Sequence, residues 1–390
     1  MTGLVKRSFR FHLIVMRTLG LYPPKRYRNL YKIHAYIMHI FFIIPMPTLA
    51  AVYLLVTENV TLEQISDSAF LICQIGCFIV KLLPFVNNHE QVRRTIYHIE
   101  HPLFVMYSKK QEVMIIECIK ICKRNCRIFL GCCLTTLTLW AIKPFLLKEC
   151  KLPLQIWWPF DITKGPKVYF PAFVYCVLGI ANGAVSNGVI DPLIAGLAGH
   201  ATTQLQILKD NLQNVAEYAE EMMSKMDGEV DDTVRDKIIY DRIKLSVEHH
   251  SEILRFVDMY EETFSSVVFI QFSASVVVIC VSCLQMSVVS PTSVSFISMF
   301  LFLVTMLSEI YLYCYYGTTL FEENNSLAQA IYLGTWYEFD ARSKKALIIL
   351  MERSKRPMIV TAGKILDLSL ETFTTILRRA YSLLAVLKNY

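Results

Sequence analysis

Six stretches of the chain stay apolar for twenty residues or more: 33–56, 65–85, 128–147, 168–190, 264–289 and 292–318. Each is long enough for one α-helix to cross the roughly 30 Å hydrocarbon core of a bilayer. A seventh stretch, 365–387, is predicted as a span although it carries Asp367, Glu371, Arg378 and Arg379. Charges within a span face protein or water rather than lipid, so the last helix is expected inside an assembly. Between 191 and 262 the pattern turns amphipathic. Leu205, Leu208, Leu212 and Val215, then Ile238, Ile243, Val247, Ile253, Leu254 and Val257, recur at helical spacing around an acidic stretch at 220–236. Two helices extending spans four and five, joined by a solvated loop, are predicted there. The fold class is an all-α membrane protein with seven transmembrane helices in one domain, 1–390.

Composition supports this. Hydrophobic residues make up 54% of the 390 positions and charged residues 18%, which excludes disorder and disfavours a soluble enzyme with an ordinary charged surface. The net charge of +6 is spread along the chain and suits loops beside anionic membrane lipid rather than a nucleic-acid patch. No signal peptide is expected, since 1–32 holds no long apolar run. Basic residues set the orientation. Residues 1–32 contain Lys6, Arg7, Arg10, Arg17, Lys25, Arg26, Arg28 and Lys32 without an acid, whereas the loop 57–64 has Glu58 and Glu63 without a base. The amino terminus is therefore expected in the cytosol and, after seven spans, the carboxyl terminus outside. The sequon at Asn59 falls in the first outer loop, where glycosylation is possible.

Candidate chemistry is sparse. No nucleotide loop, hydrolase elbow or metalloprotease motif occurs, so no catalytic residue, cofactor or metal is assigned. Cys118, Cys122 and Cys126 share a helix face, but a fourth ligand for structural zinc is missing. Cys280 and Cys283 read as core packing, His249-His250 as a helix surface or subunit contact, and Asp191-Pro192 as the cytosolic end of span four. The run of glycines at 179–199 reads as close helix packing. One face of the last helix runs Leu368, Thr372, Thr375, Arg379, Ser382 and Val386. Such a stripe suits a water-filled path shared by several subunits, closed by dewetting at Val386; the alternative is a polar face packed on protein. An apolar ligand cleft is predicted from Phe70 and Gln74 on span two, Cys133, Thr136 and Trp140 on span three, Tyr175 and Leu178 on span four, and Phe296, Met299 and Phe302 on span six.

The tail carries a resemblance. Tyr313-Cys314-Tyr315-Tyr316-Gly317, Leu320, Ser326-Leu327-Ala328, Trp336-Tyr337, Arg353-Ser354, Pro357, Ala362-Gly363, Leu368-Ser369, Phe373, Ile376-Leu377, Tyr381-Ser382 and Val386-Leu387 follow in the order seen in insect odorant receptors. Fainter echoes, such as Trp158-Pro159-Phe160-Asp161, Asp191 with His200 and Gln204, and His249-His250, extend the resemblance over the whole chain. The resemblance implies an odorant-gated, nonselective cation channel in the plasma membrane of olfactory sensory neurons. It implies a heterotetramer with a shared co-receptor, a small volatile ligand, and a cytosolic anchor from helical extensions at about 191–262 and 317–364. It also implies a pore lined by 365–390, with Val386 matching the hydrophobic gate and Tyr390 on the next turn outward. The stripe Cys133, Thr136 and Trp140 matches the family's pocket spacing. The chain lacks the co-receptor's long insertion between spans four and five, and so resembles an odorant-specific subunit. Other readings were a gustatory receptor, a G-protein-coupled receptor, which would place the amino terminus outside, and a secondary transporter, which would show matching halves.

Overall fold

The computed structural model describes residues 3–24, 27–57, 62–146, 152–153, 156–162, 165–225 and 232–388. Fourteen α-helices are described: α1 (Leu4–Thr18), α2 (Arg28–Met38), α3 (Pro45–Val56), α4 (Leu62–Asn87), α5 (His89–His98), α6 (Pro102–Val105), α7 (Lys109–Leu146), α8 (Pro166–Gln213), α9 (Val215–Met223), α10 (Asp232–Val288), α11 (Val294–Asn325), α12 (Leu327–Leu333), α13 (Ala341–Ser354) and α14 (Leu370–Lys388). A π-helical segment, His39–Ile43, joins α2 to α3. Two-residue strands β1 (Thr361–Ala362) and β2 (Leu366–Asp367) pair antiparallel just before α14. Five helical stretches among the described residues are long and apolar enough to cross a membrane: Arg28–Val56, Lys109–Phe145, Pro166–Gln213, Asp232–Ser287 and Val294–Leu333.

The core centres on α8, whose residues from Ser186 to Leu205 are all buried. The glycines expected to permit close packing do so. A Cβ on Gly196 would come within 2.8 Å of the Phe9 ring, and one on Gly199 within 2.9 Å of Tyr316.

Two expectations are corrected here. Helix α8 runs through Asp191-Pro192 to Gln213 without a break. A proline inside a helix forfeits one backbone hydrogen bond, a loss that the buried packing around this turn of α8 tolerates. His249 and His250 are 4% and 2% exposed, so neither lies on a helix surface within the chain. His249 Nε2 sits 2.9 Å from Gln204 Oε1 of α8. The last helix begins at Leu370, because Leu366–Asp367 forms a strand instead; Asp367 thus leaves the predicted span.

Helix α1 is amphipathic: Leu4, Val5, Phe9, Leu13 and Met16 are buried while Lys6 and Arg10 stay exposed. His12 is buried on the inner face, 1% exposed, with no hydrogen-bond partner on either ring nitrogen among the described residues. Burial pushes its pKa down from 6.5 to about 4. Between those values the unfolded chain takes up a proton that the folded chain refuses. Stability contributed by neutral His12 is therefore full above pH 6.5 and falls by up to about 3 kcal/mol as the pH drops to 4. The melting temperature of the purified chain should fall between pH 7 and pH 5, and His12→Phe should flatten that dependence. An equal pH slope in the variant would remove His12 as its source.

Candidate ligand cavity

A cavity of about 90 Å³ lies between α4, α7, α8 and α11. Helical periodicity builds its walls. Phe129, Cys133, Thr136, Leu137 and Trp140 line it from α7, Ile180, Gly183, Ala184 and Asn187 from α8, Phe302, Thr305, Met306 and Glu309 from α11, and Gln74, Ile75 and Phe78 from α4. On α8 and α11 these positions follow the i, i+3, i+4, i+7 rule of one helix face. The wall is aromatic at one side, where Trp140 and Phe302 stack with ring centroids 5.7 Å apart and planes at 28°. Polar groups are few. Thr136 and Thr305 donate their hydroxyls to Cys132 O and Leu301 O of their own helices. The amide of Gln74 reaches Met306 Sδ at 3.7 Å.

Of the residues predicted for the cleft, Gln74, Cys133, Thr136, Trp140 and Phe302 converge on this cavity. The others do not line it, for reasons of face or depth. Leu178 sits two residues before Ile180, on another face of α8, and is 49% exposed. Met299 and Phe296 lie about one and two turns before Phe302 along α11. Tyr175 belongs to a separate hollow with Trp158 and Phe160, and its hydroxyl donates to Phe41 O at 2.7 Å. Helix α4 includes Phe70, but its side chain lies outside the described residues, as does Asn59.

At the polar end of the cavity, Asn187 and Glu309 join a buried network that sequence reasoning missed. Lys81 of α4, 1% exposed, forms ion pairs with Asp191 of α8 and, at 3.2 Å, with Glu309 of α11. Its ammonium also donates to Asn187 Oδ1 at 2.9 Å and to Gln271 Oε1 of α10 at 3.5 Å. Tyr313 donates to Asp191 Oδ1 at 2.8 Å. One cation thus ties four helices together. The signal was present: Lys81 and Glu309 are isolated charges in apolar spans, and such charges are paired or functional by default.

From the cavity, α11 leads to the start of α14. Gly317 packs on the backbone of Leu368, and Thr318 Oγ1 accepts from Leu370 N at 3.0 Å. The β1–β2 hairpin turns through Gly363 (φ +63°) and Lys364 (φ +57°). It is clamped on α10, where Ser265 Oγ donates to Thr361 O at 2.7 Å and Ser265 O accepts from Gly363 N at 3.0 Å. On α14 itself Ile376 and Ala380 face inward, whereas Arg379 and Ser382 are exposed and Thr375 is half-buried. The side chain of Val386 and all of Tyr390 lie outside the described residues.

Elsewhere, His200 comes from α8 to meet Cys118 and Cys122, and the three possible ligand atoms lie within 4.8 Å of one another. Among the described residues this set remains one short of the four ligands usual for structural zinc.

The sequence profile of the 7tm Odorant receptor family matches residues 61–381. The chain belongs to that family. This odorant receptor is 23% identical to odorant receptor Or1 of Anopheles gambiae over 98% of this chain and 95% of that one. It is 34% identical to odorant receptor 85b of Drosophila melanogaster over a shorter stretch, 37% of this chain. Its fold superposes on the olfactory receptor OR5 of the insect Machilis hrabei in complex with eugenol with a TM-score of 0.81 at 15% identity, covering 97% of both chains. The odorant receptor is a membrane-spanning receptor and not an enzyme.

Proposed function

We propose that this chain is the odorant-specific subunit of a ligand-gated, nonselective cation channel that opens together with a co-receptor. The observation that carries the reading is that one helix serves both ends: α11 lines the cavity with Phe302, Thr305, Met306 and Glu309, then holds the start of α14 with Gly317 and Thr318. A small volatile ligand enters the apolar cavity, α11 responds, and α14 moves. The exposed stripe of Arg379 and Ser382 fits a helix that faces other subunits across a water-filled path, with Val386 as its gate and Tyr390 beyond it. Seven spans, an internal amino terminus, a tetramer and the plasma membrane of olfactory neurons complete the reading, supported by the family and by the distribution of Lys and Arg. A ligand opens such a channel only by binding the open arrangement better than the closed one.

The test is whole-cell current from cells expressing the chain with and without the co-receptor during an odorant screen. An odorant-evoked cation current that survives blockade of G-protein signalling supports the channel. A current abolished by that blockade would refute it. Within this reading, Trp140→Ala removes one of the two stacked rings of the wall. Losing an aromatic contact of about 0.5–1.5 kcal/mol raises the half-maximal odorant concentration about two- to tenfold. An unchanged dose response would remove Trp140 from the ligand site.

A further inference from the structure

A second site lies away from the odorant cavity, in a groove of about 790 Å³ between α1 and α7. Its rim carries five cations: Lys6, Arg7 and Arg10 from α1, and Lys123 and Arg127 from α7. No acidic side chain lines the groove, and none of the five forms an ion pair among the described residues. Lys6 and Arg10 are four residues apart on one helix, as are Lys123 and Arg127 on the other, a spacing at which like charges repel. The chain therefore concentrates positive charge here, and among the described residues no acidic side chain lines the groove to offset it. The groove is also partly apolar. Phe11 and Ile14, which line it, are 50% and 47% exposed, and Ile128, directly after Arg127, is 59% exposed. Along α7 the outward face changes at this point from Lys123 and Arg127 to Ile128, Leu134 and Ile142, all exposed. Such a change of face suits the line where a polar membrane interface meets hydrocarbon.

We propose that the groove binds an anionic phospholipid, its phosphorylated headgroup among the five cations and its acyl chains along Phe11, Ile14 and Ile128. A free phosphate would satisfy the cations but leave the apolar rim in water. A zwitterionic lipid would cover the rim without neutralising the charge. Five cations around one groove favour a headgroup with more than one phosphate. The site depends on membrane residence only, so it stands or falls separately from odorant gating.

The test uses the full chain purified in neutral detergent and a fluorescent short-chain phosphatidylinositol bisphosphate, followed by anisotropy. Saturable binding is expected, with fluorescent phosphatidylcholine at least tenfold weaker. Lys123→Gln with Arg127→Gln should weaken binding roughly tenfold or more, and Arg10→Gln less. Lys344→Gln with Lys345→Gln on α13 should leave it unchanged. Each variant is first shown to elute as the wild type does. Free inositol trisphosphate and inorganic phosphate serve as competitors. If either competes as strongly as unlabelled lipid, the lipid assignment is overturned in favour of a soluble anion. Equal lipid affinity in the α7 double variant, or in all variants, overturns the site itself.

Discussion

Replacing Lys81 with Met should nearly eliminate the receptor from the cell surface. The ammonium is the only cation facing Asp191 and Glu309 among the described residues, and all three side chains are at most 2% exposed. Removing it leaves the Glu309 carboxyl and the amide oxygens of Asn187 and Gln271 without this donor, and Asp191 without its cation and with Tyr313 as its donor. Breaking a buried pair from one side costs about 3–5 kcal/mol, a large part of the roughly 5–15 kcal/mol that holds a domain together. Surface biotinylation should fall at least tenfold. The triple change Lys81→Met, Asp191→Asn and Glu309→Gln removes all the charges while keeping the shapes, and Tyr313 can still donate to an amide oxygen at position 191. It should therefore recover much of the lost protein. Normal surface levels of Lys81→Met alone would mean that the network contributes little to folding.

Gly317→Ala should uncouple the cavity from the last helix. A methyl group at this position runs into the carbonyl oxygen and Cβ of Leu368, the residue that leads into α14. Backbone cannot yield as the tip of a flexible side chain can, so the hairpin and the start of α14 must shift against α11. Overpacking of this kind costs about 1–3 kcal/mol, which is tolerable for the fold but large for a gating equilibrium, where each 1.4 kcal/mol is tenfold. Surface protein should persist, while the current at saturating odorant changes at least tenfold from wild type. Gly76→Ala on α4, where an added Cβ meets nothing within 4 Å, should leave the current unchanged. Wild-type currents in Gly317→Ala would argue that α11 does not drive α14.

The helices were legible because a bilayer demands long apolar runs, and such runs are visible one residue at a time. Their ends were less so. Strand β2 replaces the predicted first turn of the last span because residues 361–367 find partners on α10 at Glu261 and Ser265, some hundred residues earlier. That clamp has no local signature. The cavity was read best on α7, where Cys133, Thr136 and Trp140 fix a face by their own spacing. On α8 and α11 isolated aromatic and apolar residues fix neither face nor depth: Leu178 falls on another face, and Phe296 and Met299 lie one to two turns before the cavity. Asn187 was overlooked because its role is to accept from Lys81, a contact between residues 106 positions apart. The burial of His249 likewise depends on Gln204, 45 residues away.

Helices α8 and α10 contain 48 and 57 residues without a break. At 1.5 Å per residue they are about 70 and 85 Å long, against about 30 Å of hydrocarbon. Pro166 of α8 and Val288 of α10 lie beside the ends of the predicted spans, but on the opposite side no helix terminus marks where either rod leaves the bilayer. Only the chemistry of its side chains does. In a thicker or thinner membrane these two rods can tilt without unwinding, since nearly all of their backbone hydrogen bonds run along the rod itself. The receptor should accordingly tolerate hydrophobic mismatch through α8 and α10.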